Sequence, residues 1–213
     1  MCSHYEAPTP QLVAHTFGID PYEQGKLDLW PGYIGPFVRR AEQVDHDGAV
    51  QTPVEALSGS FGLIPFWSKD TKIARRTYNA RSETVAEKPS FRSAWRLAQH
   101  CIIPAAAIYE PDWRSGKAIA TRIARTDGEL MGIAGLWEQW RDPGTGEILH
   151  SYTMLTINAD DHPFMRNYHK PQDEKRMVVI LPKVLHRDWL KAEAGDSMEF
   201  MRQYPAELIT VSM

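Results

Sequence analysis

The sequence has little cysteine, no long apolar run and no excess of positive charge, and each shortage narrows what the chain can be. Its 213 residues include two cysteines, Cys2 and Cys101. That is too few for the disulfide framework of a small secreted protein, and no Cys-x-x-Cys pair exists to hold zinc or exchange electrons. A reducing cytoplasm is the expected setting. No apolar stretch approaches the roughly 18 residues of a membrane span, and the start shows no basic segment leading into an apolar one. The formal net charge of −3 excludes a polycation that coats nucleic acid indiscriminately, so an anionic partner has to meet a local patch. His-Glu-x-x-His, P-loop and Gly-x-Gly-x-x-Gly signatures are missing and the histidines lack ligand spacing. Neither a metal nor a cofactor is therefore called for, and no obligatory protein partner is evident.

What is present reads as one domain over residues 1–213, with apolar residues at 43%, enough for a substantial core. TPQLVAHTF places Leu12, Val13, Thr16 and Phe17 at helical spacing after a Thr9 cap and Pro10 in the first turn. SFRSAWRLAQ (Phe91, Ala94, Trp95, Ala98) and VLHRDWLKA (Val184, Leu185, Trp189, Leu190) repeat the pattern. GDSMEFMRQY, with an Asp196/Ser197 cap, is a fourth candidate helix. FGLIPFW, CIIPAAAIYE, KAIATRIAR, LMGIAGLWEQW, SYTMLTINA, RMVVILP and ELITVS have strand length and turn-forming boundaries. RDPGTGE reads as a hairpin loop. Without regular strand–helix alternation, these elements predict an α+β fold: a mostly antiparallel, curved or barrel-like sheet with peripheral helices.

The start, MCSHYEAP, carries a chemical possibility. Removal of Met1 leaves Cys2 with an α-amine and a thiol on adjacent carbons. With ordinary pKa values of about 7.7–8.0 and about 8.5, both are partly nucleophilic near neutrality. The amine can form an imine with an aldehyde and the thiol can close a five-membered thiazolidine on the same carbon. An internal cysteine cannot do this.

TYNARSETVAEKPSFRSAW gathers Asn79, Arg81 and Glu83 just before the Phe91/Trp95 helix. With MC at the start, FGLIPFWSKD and CIIPAAAIYE in the same order, the chain from Cys2 to about Leu181 resembles the SOS-response-associated peptidase (SRAP) family. That resemblance implies a DNA-damage protein that binds abasic single-stranded DNA and crosslinks to the opened sugar, a lyase-like activity, with possible autoproteolysis at Met1. Cys2 would be the crosslinking residue, and Asn79 would orient amine and sugar. Glu110, matching the family's acid at the end of an apolar run, would transfer protons. Arg81 would hold a phosphate with its guanidinium fork. Taken alone, Asn-Ala-Arg would be a turn with an Arg81–Glu83 ion pair.

The family's histidine is matched by His169 in NYHKPQDEKRMVVIL, at a lengthened spacing from Arg176 and Met177, with His162 as competitor. Pro31 and Trp67 match wedge-like residues that cap the base stack. Arg75, Arg76 and Arg81, together with Lys170, Lys175 and Arg176, would supply cations for phosphates. The chain departs from the family pattern at Ser3-His4, where Gly-Arg is usual, at Pro111, with Trp113 as a replacement aromatic, and at Asp28 in DLWPGY, where Asn is usual. Cys101 reads as a buried hydrophobe. The rival readings are a thiol peptidase with Cys2 as acyl nucleophile and His169 as base, an N-terminal-nucleophile amidotransferase, and a non-catalytic single-strand binder.

Overall fold

The computed structural model describes residues 2–23, 25–41 and 54–212. In chain order the strands are β1 (Tyr5–Glu6), β2 (Asp28–Leu29), β3 (Ile34–Arg40), β4 (Val54–Phe61), β5 (Asn79–Arg81), β6 (His100–Ala105) and β7 (Ala107–Asp112). They continue as β8 (Ile119–Arg125), β9 (Met131–Arg141), β10 (Ile148–Asn158), β11 (Arg176–Val178), β12 (Ile180–Leu181) and β13 (Ile209–Val211). The helices are short: α1 (Pro10–Phe17), α2 (Arg92–Arg96) and α3 (His186–Lys191). The architecture is the expected α+β, with a barrel at its centre.

Strands β10, β4, β3, β6 and β9 pair in that order, and β9 pairs back onto β10, which closes a five-stranded barrel. Closure gives each of these strands a neighbour on both sides, although β3–β6 and β4–β10 are joined over two residue pairs each. β10 outruns the ring. Past Met154 its β9 edge passes to β11 and its β4 edge to β5, so the Asn79–Arg81 strand lies parallel to β10 at the barrel rim. A second, antiparallel sheet runs β13-β8-β7-β1-β2. Tyr5 joins the two sheets. Its hydroxyl lies 2.6 Å from that of Tyr152 and its ring meets Phe61 edge-on at 5.1 Å. The approach requires Gly35, where a Cβ would fall 2.3 Å from Leu29 Cδ1 and 2.5 Å from the Tyr152 hydroxyl.

The local signals explain most elements. Thr9 Oγ1 accepts from Leu12 N at 3.4 Å and caps α1, although α1 buries Pro10 and Val13 and leaves Leu12 exposed. Asp142 accepts from the Gly144 and Thr145 amides and shapes the β9–β10 turn at RDPGTGE.

Four expectations are corrected. FGLIPFW is no strand beyond Phe61: Gly62, at φ +126°, lies so close to Ala74 that a Cβ would fall 1.9 Å from its carbonyl oxygen, and the chain turns away there. CIIPAAAIYE is two strands, β6 and β7, split between the sheets at Ala106. Val184 is 81% exposed in a 3₁₀ turn before α3. GDSMEFMRQY forms the 3₁₀ segment Ala194–Phe200, in which Ser197 is a buried partner of His100 rather than a cap. The pattern also passed over β3 and β4, whose alternation is broken by Pro36 and by the half-hidden Arg39–Glu55 pair.

Candidate active site

The site assembles where β1 begins. β1 pairs with β7 through Tyr5↔Ile108, and the Tyr109 amide donates to His4 O at 2.9 Å, so Glu110 lies opposite the start of the chain. Beyond the start of β1, Tyr168 takes over the same edge of β7 by bridging to Asp112, since β8 occupies the other. His169 follows with a left-handed backbone, φ 65°, its amide donating to Pro111 O at 2.9 Å. That conformation is costly for a residue with a side chain and is kept where surrounding contacts impose it. Here it brings the imidazole back over the sheet, and His169 Nε2 lies 2.8 Å from Glu110 Oε2.

Cys2 is fully buried, its thiol donating to His4 O at 3.4 Å. Burial pushes the thiol pKa well above its usual range, with the nearby Glu110 carboxylate adding to the effect. The group is therefore a neutral thiol at physiological pH. Asn79 enters from β5 and donates through Nδ2 to Cys2 O at 3.1 Å and to Tyr78 O at 2.7 Å. Among the described residues its Oδ1 is buried without a hydrogen-bond partner, so it has acceptor capacity left over. Cys2, Asn79, Glu110 and His169, expected from scattered stretches of sequence, thus meet in one place.

His162, the rival histidine, lies elsewhere. It is buried with Nε2 2.7 Å from Tyr204 O, while Nδ1 accepts from the Phe164 and Met165 amides. Both ring nitrogens are committed to structure.

The surrounding cations sort into outward and inward groups. Arg75 and Arg76 are exposed at the end of the 3₁₀ segment Thr71–Arg76, with Arg75 Cγ next to Gly32 and so beside Pro31. Arg81 is half-exposed and pairs with Glu174 at 2.7 Å, not with Glu83. Trp67 is 48% exposed, its indole N–H donating to Pro89 O at 3.3 Å. Lys170 is exposed with Nζ over the Trp113 ring, and Lys175 Nζ donates to Lys170 O.

Arg176 is the correction. It is 2% exposed, forks onto Glu83 at 2.7 and 2.8 Å, and also donates to Glu174 and Thr156 O, each at 2.8 Å. A guanidinium so enclosed cannot reach a phosphate. It ties the segment after β5 to β10 and β11.

Sequence reasoning missed two features. Tyr78 is half-buried beside the site; burial raises its phenol pKa, and Cys2 and Glu110 contribute. Its position next to Asn79 was the available signal. The second is a ring stack of Trp30, His4 and Tyr109.

Fold and site together define a barrel protein that carries a thiol, a carboxamide and a carboxylate–imidazole pair where its first strand begins. The family model described as SOS response associated peptidase (SRAP) matches residues 1–213, and the chain belongs to that family. Abasic site processing protein YoqW of Bacillus subtilis (strain 168) is 38% identical over 137 residues, 64% of this chain and 57% of YoqW. Abasic site processing protein HMCES of Gallus gallus is 27% identical over 152 residues, 62% of this chain and 45% of HMCES. The chain thus spans about half the length of these relatives. A crystal structure of a protein from Bordetella bronchiseptica superposes with a TM-score of 0.87 at 47% identity, covering 98% of this chain and 97% of that one. Another, from Bacteroides thetaiotaomicron, shares the fold at 22% identity and a TM-score of 0.79.

Proposed function

We propose that this protein binds single-stranded DNA containing an abasic site and joins Cys2 to the opened sugar as a thiazolidine. The observation that carries this reading is the meeting at Cys2 of Asn79, through the Cys2 carbonyl, with the Glu110–His169 pair 2.8 Å apart. The names of the relatives, abasic site processing proteins, support the same substrate.

Hydrolysis of the Met1–Cys2 bond frees the α-amine. The amine adds to C1 of the ring-opened sugar, and loss of one water gives the imine. The Cys2 sulfur then adds to the same carbon while its proton passes to the ring nitrogen, so aldehyde plus aminothiol become thiazolidine plus water. Glu110 accepts the proton released by the attacking amine, and His169 supplies one to the sugar ring oxygen as it opens. Asn79 holds the Cys2 backbone so that the amine faces the sugar, and its free Oδ1 receives an N–H or O–H of the entering group. Arg75, Arg76 and Arg81 meet phosphates, and Trp67 and Pro31 face the bases. Arg176 positions β5 from within.

The free α-amine separates this reading from a peptidase, because the thiazolidine needs it and acyl attack by a thiol does not. Denaturing electrophoresis with abasic single-stranded DNA is the test. A band that survives heat and denaturant is expected, and is lost when an uncleavable residue precedes Cys2, because the amine becomes an amide with a delocalised lone pair. An extended protein that folds and still forms the adduct would refute the mechanism.

A further inference from the structure

Three flat rings lie in register beside the reactive residue. The His4 imidazole is 4.1 Å from the Trp30 ring with planes 12° apart, and 4.1 Å from the Tyr109 ring on its other face with planes 11° apart. The column draws on three strands or their ends: His4 precedes β1, Trp30 follows β2 and Tyr109 belongs to β7. It is fixed along its length. His4 Nε2 lies 3.0 Å from Asp28 Oδ1, and the Tyr109 hydroxyl donates to Glu6 Oε2 at 3.5 Å. Trp30, at the end away from Tyr109, remains 44% exposed although one face rests on His4.

Two departures from the family pattern, His4 and Asp28, touch each other in this unit. A permanent cation has been exchanged for the middle ring of a stack. The stack is continuous with the site: His4 O receives the Cys2 thiol, Tyr109 precedes Glu110, and Trp30 precedes Pro31, which has the Arg75 stem close by at Gly32. A rigid, open, aromatic face between a reactive residue and a cation suits a planar π ligand that is part of an anion.

We propose that Trp30 is a stacking platform for the nucleobase flanking the abasic nucleotide, held at fixed tilt by His4 and Tyr109, and that it makes affinity depend on the identity of that base. The inference rests on the proposed function. Purines offer more stacking area than pyrimidines, so an adenine flank binds more tightly than a thymine flank.

The experiment uses fluorescence anisotropy with single strands carrying a tetrahydrofuran abasic analogue, which has no aldehyde and so reports binding alone, flanked by adenine or thymine. The wild-type protein is expected to prefer the adenine flank. Trp30→Ala should weaken binding by about 5- to 150-fold, the range for losing one stacked base, and should erase the flank preference with the salt slope unchanged. Trp30→Phe should restore much of both. His4→Phe should keep the preference and His4→Ala reduce it, which separates ring support from the Asp28 contact; thermal unfolding checks each variant. Equal wild-type affinity for both flanks, or a folded Trp30→Ala that binds like wild type, would overturn the platform while leaving crosslinking intact. Absence of binding and crosslinking by the wild-type protein would sink both readings.

Discussion

Glu110 shows how much a single side chain is asked to do. It is 1% exposed, 2.8 Å from His169, and close enough to Cys2 to help raise the thiol pKa. A carboxylate so enclosed is out of reach of a phosphate, and the proposed function assigns it proton transfer. Glu110→Gln should therefore slow adduct formation by about 10²- to 10⁴-fold, the range for removing a general acid–base, with intact single strands bound as before; parallel loss of binding and rate would contradict the role. A second expectation follows from the thiol. Because Cys2 is neutral and enclosed, it should alkylate with iodoacetamide far more slowly near pH 7 than a free cysteine does, measured by mass after timed quenching. Rapid modification would mean that the thiol is not held as described. Cys2, Asn79 and Glu110 could be picked out as specific residues in quoted motifs, whereas His169, at a lengthened spacing from Arg176, stood beside His162 until the fold set it against Glu110. The Trp30–His4–Tyr109 stack could not, because it exists only once β1 lies between β2 and β7.

Among the elements, β5 is held from behind. Arg176 fixes Glu83 and Glu174, and Glu174 in turn holds Arg81. Removing the cation leaves two carboxylates without their main partner, one of them also the tether of a proposed phosphate contact. Arg176→Met should cost about 1.5–3 kcal/mol of unfolding free energy in urea titration, the scale for losing hydrogen bonds to charged groups, because the two carboxylates left behind are 47% and 35% exposed and water can take over their solvation. Arg81→Ala should cost little stability and flatten the salt dependence of single-strand binding by about one phosphate's worth. If Arg81→Ala leaves that slope unaltered, the phosphate assignment is wrong. The sequence showed basic residues near the motifs, but charge alone does not say which way a side chain faces: Arg176 lies under the sheet and Arg81 on it. Strands β3 and β4 escaped notice for a related reason. Arg39 is 5% exposed and lies over the Trp137 ring with Glu55 as its ion-pair partner, so charged positions that read as surface are part of the packing.

At the scale of the whole molecule, acid is the expected weakness. Burial holds the His100 pKa down at about 4, with Ser197 Oγ 2.9 Å from its Nε2 and Trp189 stacked at 3.9 Å. Burial likewise lowers His186 to about 4. An unfolded chain takes up these protons below about pH 6.5 and the native one does not, so the stability is complete above that pH and lost as pH falls toward 4. For His100 alone the loss is on the order of 3 kcal/mol. Urea midpoints should fall between pH 7 and pH 4.5, and fall less in His100→Gln; identical slopes would show that this ring is not responsible. The barrel itself has unequal seams. Among the described residues, β9 is laddered along most of its length to β6 and β10, whereas β3 joins β6 at Val38↔Ile102 and Arg39↔Cys101, and β4 joins β10 at Ser151↔Ser60 and Tyr152↔Phe61. The β3–β4 hairpin is thus a latch on a three-stranded frame. Its amides should exchange with deuterium together, through a sub-global opening that costs less than complete unfolding, while those of β6, β9 and β10 wait for the whole protein to come apart.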